Sequence, residues 1–438
     1  MDAVAVLSVL NEAETYEGYD NAQRTIADEL AGIASDSTRL FRSTQRLDDI
    51  AALAHQAMPR AGALLTGWRL IHTHACILAA LADATNNAFS AIARLDKAII
   101  ISGAAGHGCL DLILDLIDDL QAPLRSTSSH PTASSVPLNT NTSPHPARLP
   151  TASSAVRELP EPPSMSAFQR LADHPFVLRG YARDWPCCAE HPWASAAYLR
   201  AATGPGRLVP VEVGQDYRAE EWSQELMPWD TFLSYLDFLD QPPKADSPRT
   251  LYLAQHDLFM QFPRLKADLL IPDYVYACVG PDDYKPPANE DRLMLNAWLG
   301  PAGTLSPAHT DPFFNFYVQV VGRKTVWLAS PSASPYMYAY ADSQHPASAH
   351  RSEPGSSTSD ADSLKAGTGS SMLSNTSRVD VFTSDESASR REYPQFWDQV
   401  VPSASSVTLD AGDVLFFPPG WWHAMRSEAT SFSVSMWF

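Results

Sequence analysis

The chain has 438 residues, 45% apolar and only 18% charged, which allows a sizeable core and, at roughly 100–200 residues per domain, two domains. Its 31 basic residues against 50 acidic ones leave a formal net charge of −19. That balance argues against non-specific nucleic-acid binding, which needs Lys and Arg to neutralise phosphates, and fits a basic protein or peptide partner better.

The opening MDAVAVLSVLNEAETYEG has no basic n-region and makes a poor signal peptide. The longest apolar stretches, such as CILAALA and KAIIISGAAG, fall short of the roughly 18 residues expected of a membrane span. Five cysteines (Cys76, Cys109, Cys187, Cys188, Cys278) show neither disulfide nor zinc-finger spacing, so a reducing compartment, nucleus or cytoplasm, is expected. Basic clusters such as SRREY are too short for an import signal and do not decide between the two.

Residues 1–121 read as an all-α domain: apolar residues recur at three- and four-residue steps in LAGIASDSTRLFRSTQRLDDIAALAHQAM and HTHACILAALADATNNAFSAIARLDKAII. CLDLILDLIDDLQ, with acids beside leucines, reads as an amphipathic closing helix. His72 and His74 with Cys76 have a metal-like look, but on a helix a two-residue step points side chains apart, which favours satisfied helical histidines.

From 122 to 164 Pro, Ser and Thr dominate and periodicity vanishes, predicting a disordered linker. Residues 165–438 then carry short β-like runs: FVLRG, RLVPVEV, TLYLAQ, LMLNAWLG, FNFYVQVVG, KTVWLASP, SVTLDAGDVLFFPPG and SFSVSMWF. Even spacing and aromatic and β-branched enrichment predict an antiparallel barrel or double sheet, with helical breaks near WASAAYLRAA and WDTFLSYLDFL. A Ser-rich stretch at 343–372 reads as a disordered surface insertion. Vicinal Cys187 and Cys188, following RDWP, fit ordinary buried or half-buried thiols better than a redox pair. No G-x-S-x-G, P-loop or G-x-G-x-x-G occurs, so serine-hydrolase and nucleotide chemistry lack support.

The most informative segment is SPAHTDPFFNFYVQVVGRKTVWLASP. His309 and Asp311 stand two apart, so on a strand both project to one face. GDVLFFPPGWWHAMRS then supplies His423 after a Pro-Pro-Gly turn. Two His and one carboxylate are the ligand set of a facial iron site, which keeps coordination positions open, whereas a structural zinc site fills all four. Alone, the H-x-D pair is weak and His423 reads as a core histidine; their joint context after strand-like runs raises the metal reading. Lys324, taken by itself, reads as an exposed turn residue beside Gly322 and Arg323. Pointing into a barrel it would need a partner, which a dicarboxylate provides.

The stretch from about 165 to 438 resembles the JmjC-domain (cupin-like) Fe(II)- and 2-oxoglutarate-dependent oxygenases. PFVLRGYARDWP, VPVEVGQDY, EEWSQELM, YLAQHDLFMQFPRLKADLLIPDY, NAWLGPAGTLSPAHTDPFFNFYVQVVGRK and FSVSMWF match that type in order; GWRLIHTHACILAAL and AIARLDKAIIISG match its preceding helical domain more loosely. The resemblance implies an α+β chain, a helical domain followed by a double-stranded β-helix (jelly roll). It implies that His309, Asp311 and His423 hold Fe(II) and are the catalytic centre. Lys324 would pair with the distal carboxylate of 2-oxoglutarate, Tyr252, Ser306 and Asn315 would hydrogen-bond it, and Trp437 would wall the pocket. Glu212, Tyr217 and Trp298 match positions lining an arginine cleft, where a carboxylate pairs with a guanidinium and rings stack on it. Read without the resemblance, Tyr252 and Asn315 are ordinary strand residues, Glu212 a surface ion-pair member, and Trp298 and Trp437 core fillers.

The expected function is therefore O2-dependent hydroxylation of a protein side chain, arginine first, in a basic substrate such as a histone, ribosomal or chromatin protein. Histone lysine demethylation by the same chemistry and a non-catalytic cupin-like scaffold are the alternatives. Two departures stand out. The 112-residue interval from Asp311 to His423 exceeds the family's usual one, the 343–372 stretch supplying the excess, and PPGWWH is bulkier than expected before a third ligand.

Overall fold

The computed structural model describes residues 17–125, 148–214, 221–243, 250–340 and 375–438. The helical part comprises α1 (Asn21–Ala34), α2 (Ser37–Arg42), α3 (Thr44–Ala57), α4 (Leu65–Asp83), α5 (Ala88–Ser102) and α6 (Cys109–Arg125). Boundaries follow local chemistry. Asp20 and Gln23 form a reciprocal capping box at the start of α1, and Gly103, in the left-handed region, ends α5. Leu47, Ile71, Ile77, Ile92, Leu95, Ile99 and Ile113 interlock as its core.

By length and composition Gly62–Asp83 is long and apolar enough to cross a membrane, contrary to the sequence expectation; 67% of its most apolar window is buried against the neighbouring helices. His72 and His74 lie inside that packing. His72 Nδ1 is 2.8 Å from Ser102 Oγ, and burial pushes the two histidines down to about 3 and about 4, so both are neutral at physiological pH.

Two sheets build the second part. One carries β1 (Ser154–Ala155), β11 (Ser405–Asp410), β10 (Arg323–Ala329), β13 (Trp422–Ser427) and β8 (Leu305–Thr310), in that spatial order. The other runs β2 (Arg157–Leu159), β3 (Phe176–Leu178), β12 (Val414–Phe417), β9 (Asn315–Val321), β14 (Ser431–Trp437), β7 (Met294–Gly300), β6 (Leu251–His256), β4 (Leu208–Val213) and β5 (Ser223–Pro228). Apart from the short β1–β11 and β2–β3 pairs, neighbouring strands are antiparallel.

Alternation along each strand sorts side chains into layers. Phe316, Val318, Phe432, Val434 and Met436 face outward onto Phe168, Leu199, Phe232 and Phe259. Tyr317, Val326, Leu328, Leu409, Leu415 and Met425 from the two sheets meet between them. Trp327, Ala329 and Ala424 pack outward against Phe396 and Trp397. The result is a helical region followed by a jelly roll.

Two boundary expectations need comment. The stretch expected as a linker falls outside the described residues at 126–147, but 148–164 is structured: Leu149 and Ala152 are buried and the segment adds β1 and β2 to the sheets. Its Pro and Ser content masked edge strands, which need few apolar residues. The 343–372 insertion falls outside the described residues.

Gly322 makes the turn between β9 and β10 that sets Lys324 opposite Asn315's strand. Its φ is +73°, and an added Cβ would lie 1.9 Å from the Thr430 carbonyl oxygen, which is backbone and cannot yield cheaply. Gly322→Ala is expected to cost about 3 kcal/mol or more, lowering Tm by several degrees, with thermal melting as the check.

Candidate metal centre

β8 and β13 are hydrogen-bonded neighbours in which His309 and His423 stand directly opposite, ring centroids 4.2 Å apart. Asp311 follows β8 at once and turns back over the pair: its carboxylate oxygens lie 3.4 Å from His423 Nε2 and 3.9 Å from His309 Nε2. One ligand atom from each of the three residues falls within 4.8 Å of the others. The Pro-Pro-Gly turn before His423 is tied down by the Gly420 amide, which donates to the Asp311 carbonyl at 2.8 Å. The bulky PPGWWH approach is accommodated because Trp422 points outward, into the core beneath Ala333, and donates its indole N–H to Ser334.

The imidazoles are prepared as ligands. His309 Nδ1 lies 2.7 Å from the Pro307 carbonyl oxygen and His423 Nδ1 3.0 Å from that of Trp421. A carbonyl only accepts, so each Nδ1 carries a hydrogen, and Nε2 is the ring nitrogen turned toward Asp311. Desolvation holds His309 down to about 4, with the neighbouring His423 adding to it. Burial opposes ionisation of Asp311, yet the two imidazoles outweigh it and its pKa sits below the usual carboxylate value. Two imidazole nitrogens and a carboxylate suit a divalent cation. Three ligands converging from one side leave room for others.

Lys324 corrects the expectation drawn from it alone: it is 1% exposed, in the middle of the barrel. Its ammonium donates to the hydroxyls of Tyr317 at 2.9 Å and Tyr252 at 3.3 Å. Among the described residues no carboxylate lies within ion-pair distance of it. Desolvation alone pushes Lys324 down to about 7. A cation buried beside neutral hydroxyls is costly until an anion arrives.

Other unmatched polar atoms stand on the neighbouring strands. Asn315 Oδ1, Trp437 Nε1 and Asn296 Nδ2 are buried without hydrogen-bond partners among the described residues. Asn315 and Trp437 are paired across β9 and β14, and Asn296 faces Ser435 across β7 and β14. Such orphans in a barrel mouth are what a polar ligand would satisfy. The donor set, the unmatched ammonium and these orphans fit Fe(II) with a dicarboxylate.

A pocket lined by Trp298, Ser306, His309, Asp311, Asn315, Tyr317, His423, Met425 and Ser435 gathers most of the expected residues. Tyr252 is buried behind Lys324 and contacts Ser306. Trp298 hydrogen-bonds Ser435 at 3.1 Å and lies 6.2 Å from the Tyr252 ring. Glu212 stands opposite Tyr252 across β4 and β6. Tyr217 lies outside the described residues. Sequence reading missed Tyr317, Met425, Ser435 and Asn296. The two-residue step from Asn315 to Tyr317 and the Ser-apolar alternation of SFSVSMWF would have revealed Tyr317 and Ser435. Cys187 and Cys188 are both buried in the outer core, as ordinary thiols.

A family model described as a cupin-like domain matches residues 163–438. The Jumonji C domain-containing protein 5 of Drosophila melanogaster is 37% identical over 280 residues, 63% of this chain and 58% of that protein. The lysine-specific demethylase 8 of Danio rerio is 32% identical over 382 residues, 85% of this chain and 81% of that protein. A more distant relative, the bifunctional peptidase and (3S)-lysyl hydroxylase JMJD7 of Homo sapiens, is 26% identical over 298 residues, 65% of this chain and 84% of that protein. Against several curated relatives the chain spans little more than half their length, 51–58%. Family match, a relative covered over four-fifths of its length and site geometry agree: the chain belongs to the cupin-like JmjC family, whose members are Fe(II)- and 2-oxoglutarate-dependent oxygenases.

Proposed function

We propose that this chain is itself a 2-oxoglutarate-dependent dioxygenase that hydroxylates an arginine side chain in a basic protein of the nucleus or cytoplasm. The observation that carries the reading is the buried Lys324, with no carboxylate in ion-pair reach among the described residues, facing the same barrel mouth as the His309–Asp311–His423 cluster. In this reading His309, Asp311 and His423 hold the iron, and Lys324, with the Tyr252 and Tyr317 hydroxyls, holds the distal carboxylate of the co-substrate. Ser306, Asn315 and Trp437 satisfy its remaining polar atoms. When bound, iron with 2-oxoglutarate and O2 supplies the oxidising power for C–H hydroxylation, with succinate and CO2 as co-products. The protein's own work is to exclude water, fix the ligands' tautomers and orient the reacting groups.

Arginine is favoured because Glu212, on the strand beside Tyr252, and Trp298, in the pocket wall, offer a carboxylate and an aromatic face to one guanidinium. The net charge of −19 suits a basic partner. Lysine demethylation is the second reading, since relatives carry the name lysine-specific demethylase. Mass spectrometry of arginine- and methyllysine-containing peptides after incubation with iron and 2-oxoglutarate separates them. One oxygen gained on arginine is the expected result. A methyl lost from lysine would move the assignment to demethylation, and no 2-oxoglutarate turnover with any peptide would leave the scaffold reading standing.

A further inference from the structure

The helical part and the jelly roll meet through a buried polar knot. Asp96 on α5 is fully buried, and its carboxylate accepts from four nitrogens of three residues. Arg207 gives Nη2 at 2.7 Å and Nε at 3.1 Å; the Leu208 amide approaches at 2.7 Å and Gln261 Nε2 at 2.8 Å. Gln261 also donates to the Leu208 carbonyl at 2.6 Å, and its amide oxygen accepts from His256 Nε2 at 3.0 Å. Arg207 itself lies over the Phe262 ring, 4.5 Å from its centroid.

The placement of this knot matters more than its size. Leu208 is the first residue of β4 and His256 the last of β6. These antiparallel strands are directly paired only at their other ends, Glu212 with Tyr252 and Val213 with Leu251. Toward His256 the order of β6 breaks: Gln255 takes a φ of +47°, and pairing with β7 shifts register between Leu253 and His256. Asp96 and Gln261 therefore replace the missing ladder, and the short surviving ladder is the one carrying Tyr252 and Glu212.

We propose that the helical layer is a working part of the catalytic unit, with Asp96 a positioning residue that clips the far ends of β4 and β6 together. The clip holds Tyr252 in reach of Lys324 and Glu212 beside it, and so sets the affinity for the dicarboxylate; in assigning that pocket it rests on the function proposed above. A mere anchor between domains would stabilise the chain without changing the pocket.

The test uses the full chain with Asp96→Ala, Gln261→Leu and, as a control that loosens the helical core without touching the clip, Leu47→Ala. Hydrogen exchange is read over 208–213 and 251–256. Binding of 2-oxoglutarate is measured anaerobically with Mn(II), and KM and kcat are measured with Fe(II). Asp96→Ala and Gln261→Leu should speed exchange in both strands and raise the dissociation constant and KM for 2-oxoglutarate about tenfold, with kcat at saturation within about twofold. Leu47→Ala should speed exchange in the helices alone and leave 2-oxoglutarate affinity unchanged. Should Asp96→Ala not fold, Gln261→Leu decides, because it keeps the Asp96–Arg207 pair. Unchanged exchange in β4 and β6 in Gln261→Leu, or loosened strands with unaltered 2-oxoglutarate affinity, overturns the proposal. A wild-type chain that binds no 2-oxoglutarate overturns the assignment of the pocket instead, and the proposed effect on affinity with it.

Discussion

Asp311→Ala is expected to lower iron-dependent turnover of 2-oxoglutarate by about a thousandfold or more, equivalent to about 4 kcal/mol of lost stabilisation. Asp311 is the anionic member of the cluster and the one whose carboxylate reaches toward each imidazole. Without it two imidazoles remain, a weak site for Fe(II) with no carboxylate to balance the cation. The fold should survive, because Asp311 follows β8 rather than sitting within a ladder, and its main-chain bond to Gly420 does not need the side chain. Succinate formation and metal content of the purified variant are the measurements. Unchanged turnover in a metal-loaded variant would remove Asp311 from the ligand set.

Lys324→Met should weaken 2-oxoglutarate binding about a hundredfold or more, while the ligand-free protein melts no lower than wild type. The two effects have one cause. In the free protein the ammonium is buried against two tyrosine hydroxyls, and desolvation already pushes it down to about 7. Methionine fills similar space with no charge to desolvate, so nothing is lost until the dicarboxylate must bind without its counter-ion. A pH signature follows. The anion binds the protonated lysine, so above pH 7 affinity should fall as Lys324 loses its proton, by up to about tenfold per pH unit. Lys324→Met should abolish that dependence. Calorimetric titration of 2-oxoglutarate across pH 6.5–9 checks both points, and an unaltered affinity in the variant would show that the carboxylate lies elsewhere.

The parts of this site visible in the sequence were those with short-range grammar. His309 and Asp311 share a two-residue step, and the Pro-Pro-Gly before His423 announces a turn, so the two histidines could be placed on strands, while Asp311 lies just past the end of β8. That the strands are neighbours, with His309 opposite His423, is a property of sheet order and has no local signal. Lys324 shows the same limit. Beside Gly322 and Arg323 it reads as an exposed turn residue, and only the pairing of β10 between β11 and β13 carries it into the barrel. Tyr317 was missed because β9 is buried on both faces, although Asn315 and Gln319, each two residues from it, mark its face as the polar one. The edge strands β1 and β2 were missed for the opposite reason, since their residues need little apolar character. The knot at Asp96 joins residues more than a hundred positions apart, and nothing near Asp96 in the chain distinguishes it from a surface acid.

Diffraction from crystals grown anaerobically with Fe(II) and a non-reactive 2-oxoglutarate analogue addresses the metal and the co-substrate at once. A single ion within about 2.3 Å of His309 Nε2, His423 Nε2 and an Asp311 oxygen, with the analogue's far carboxylate on Lys324 Nζ, is the expected result. An ion bound away from these three side chains, or one closed off by a fourth protein ligand, would contradict the oxygenase assignment.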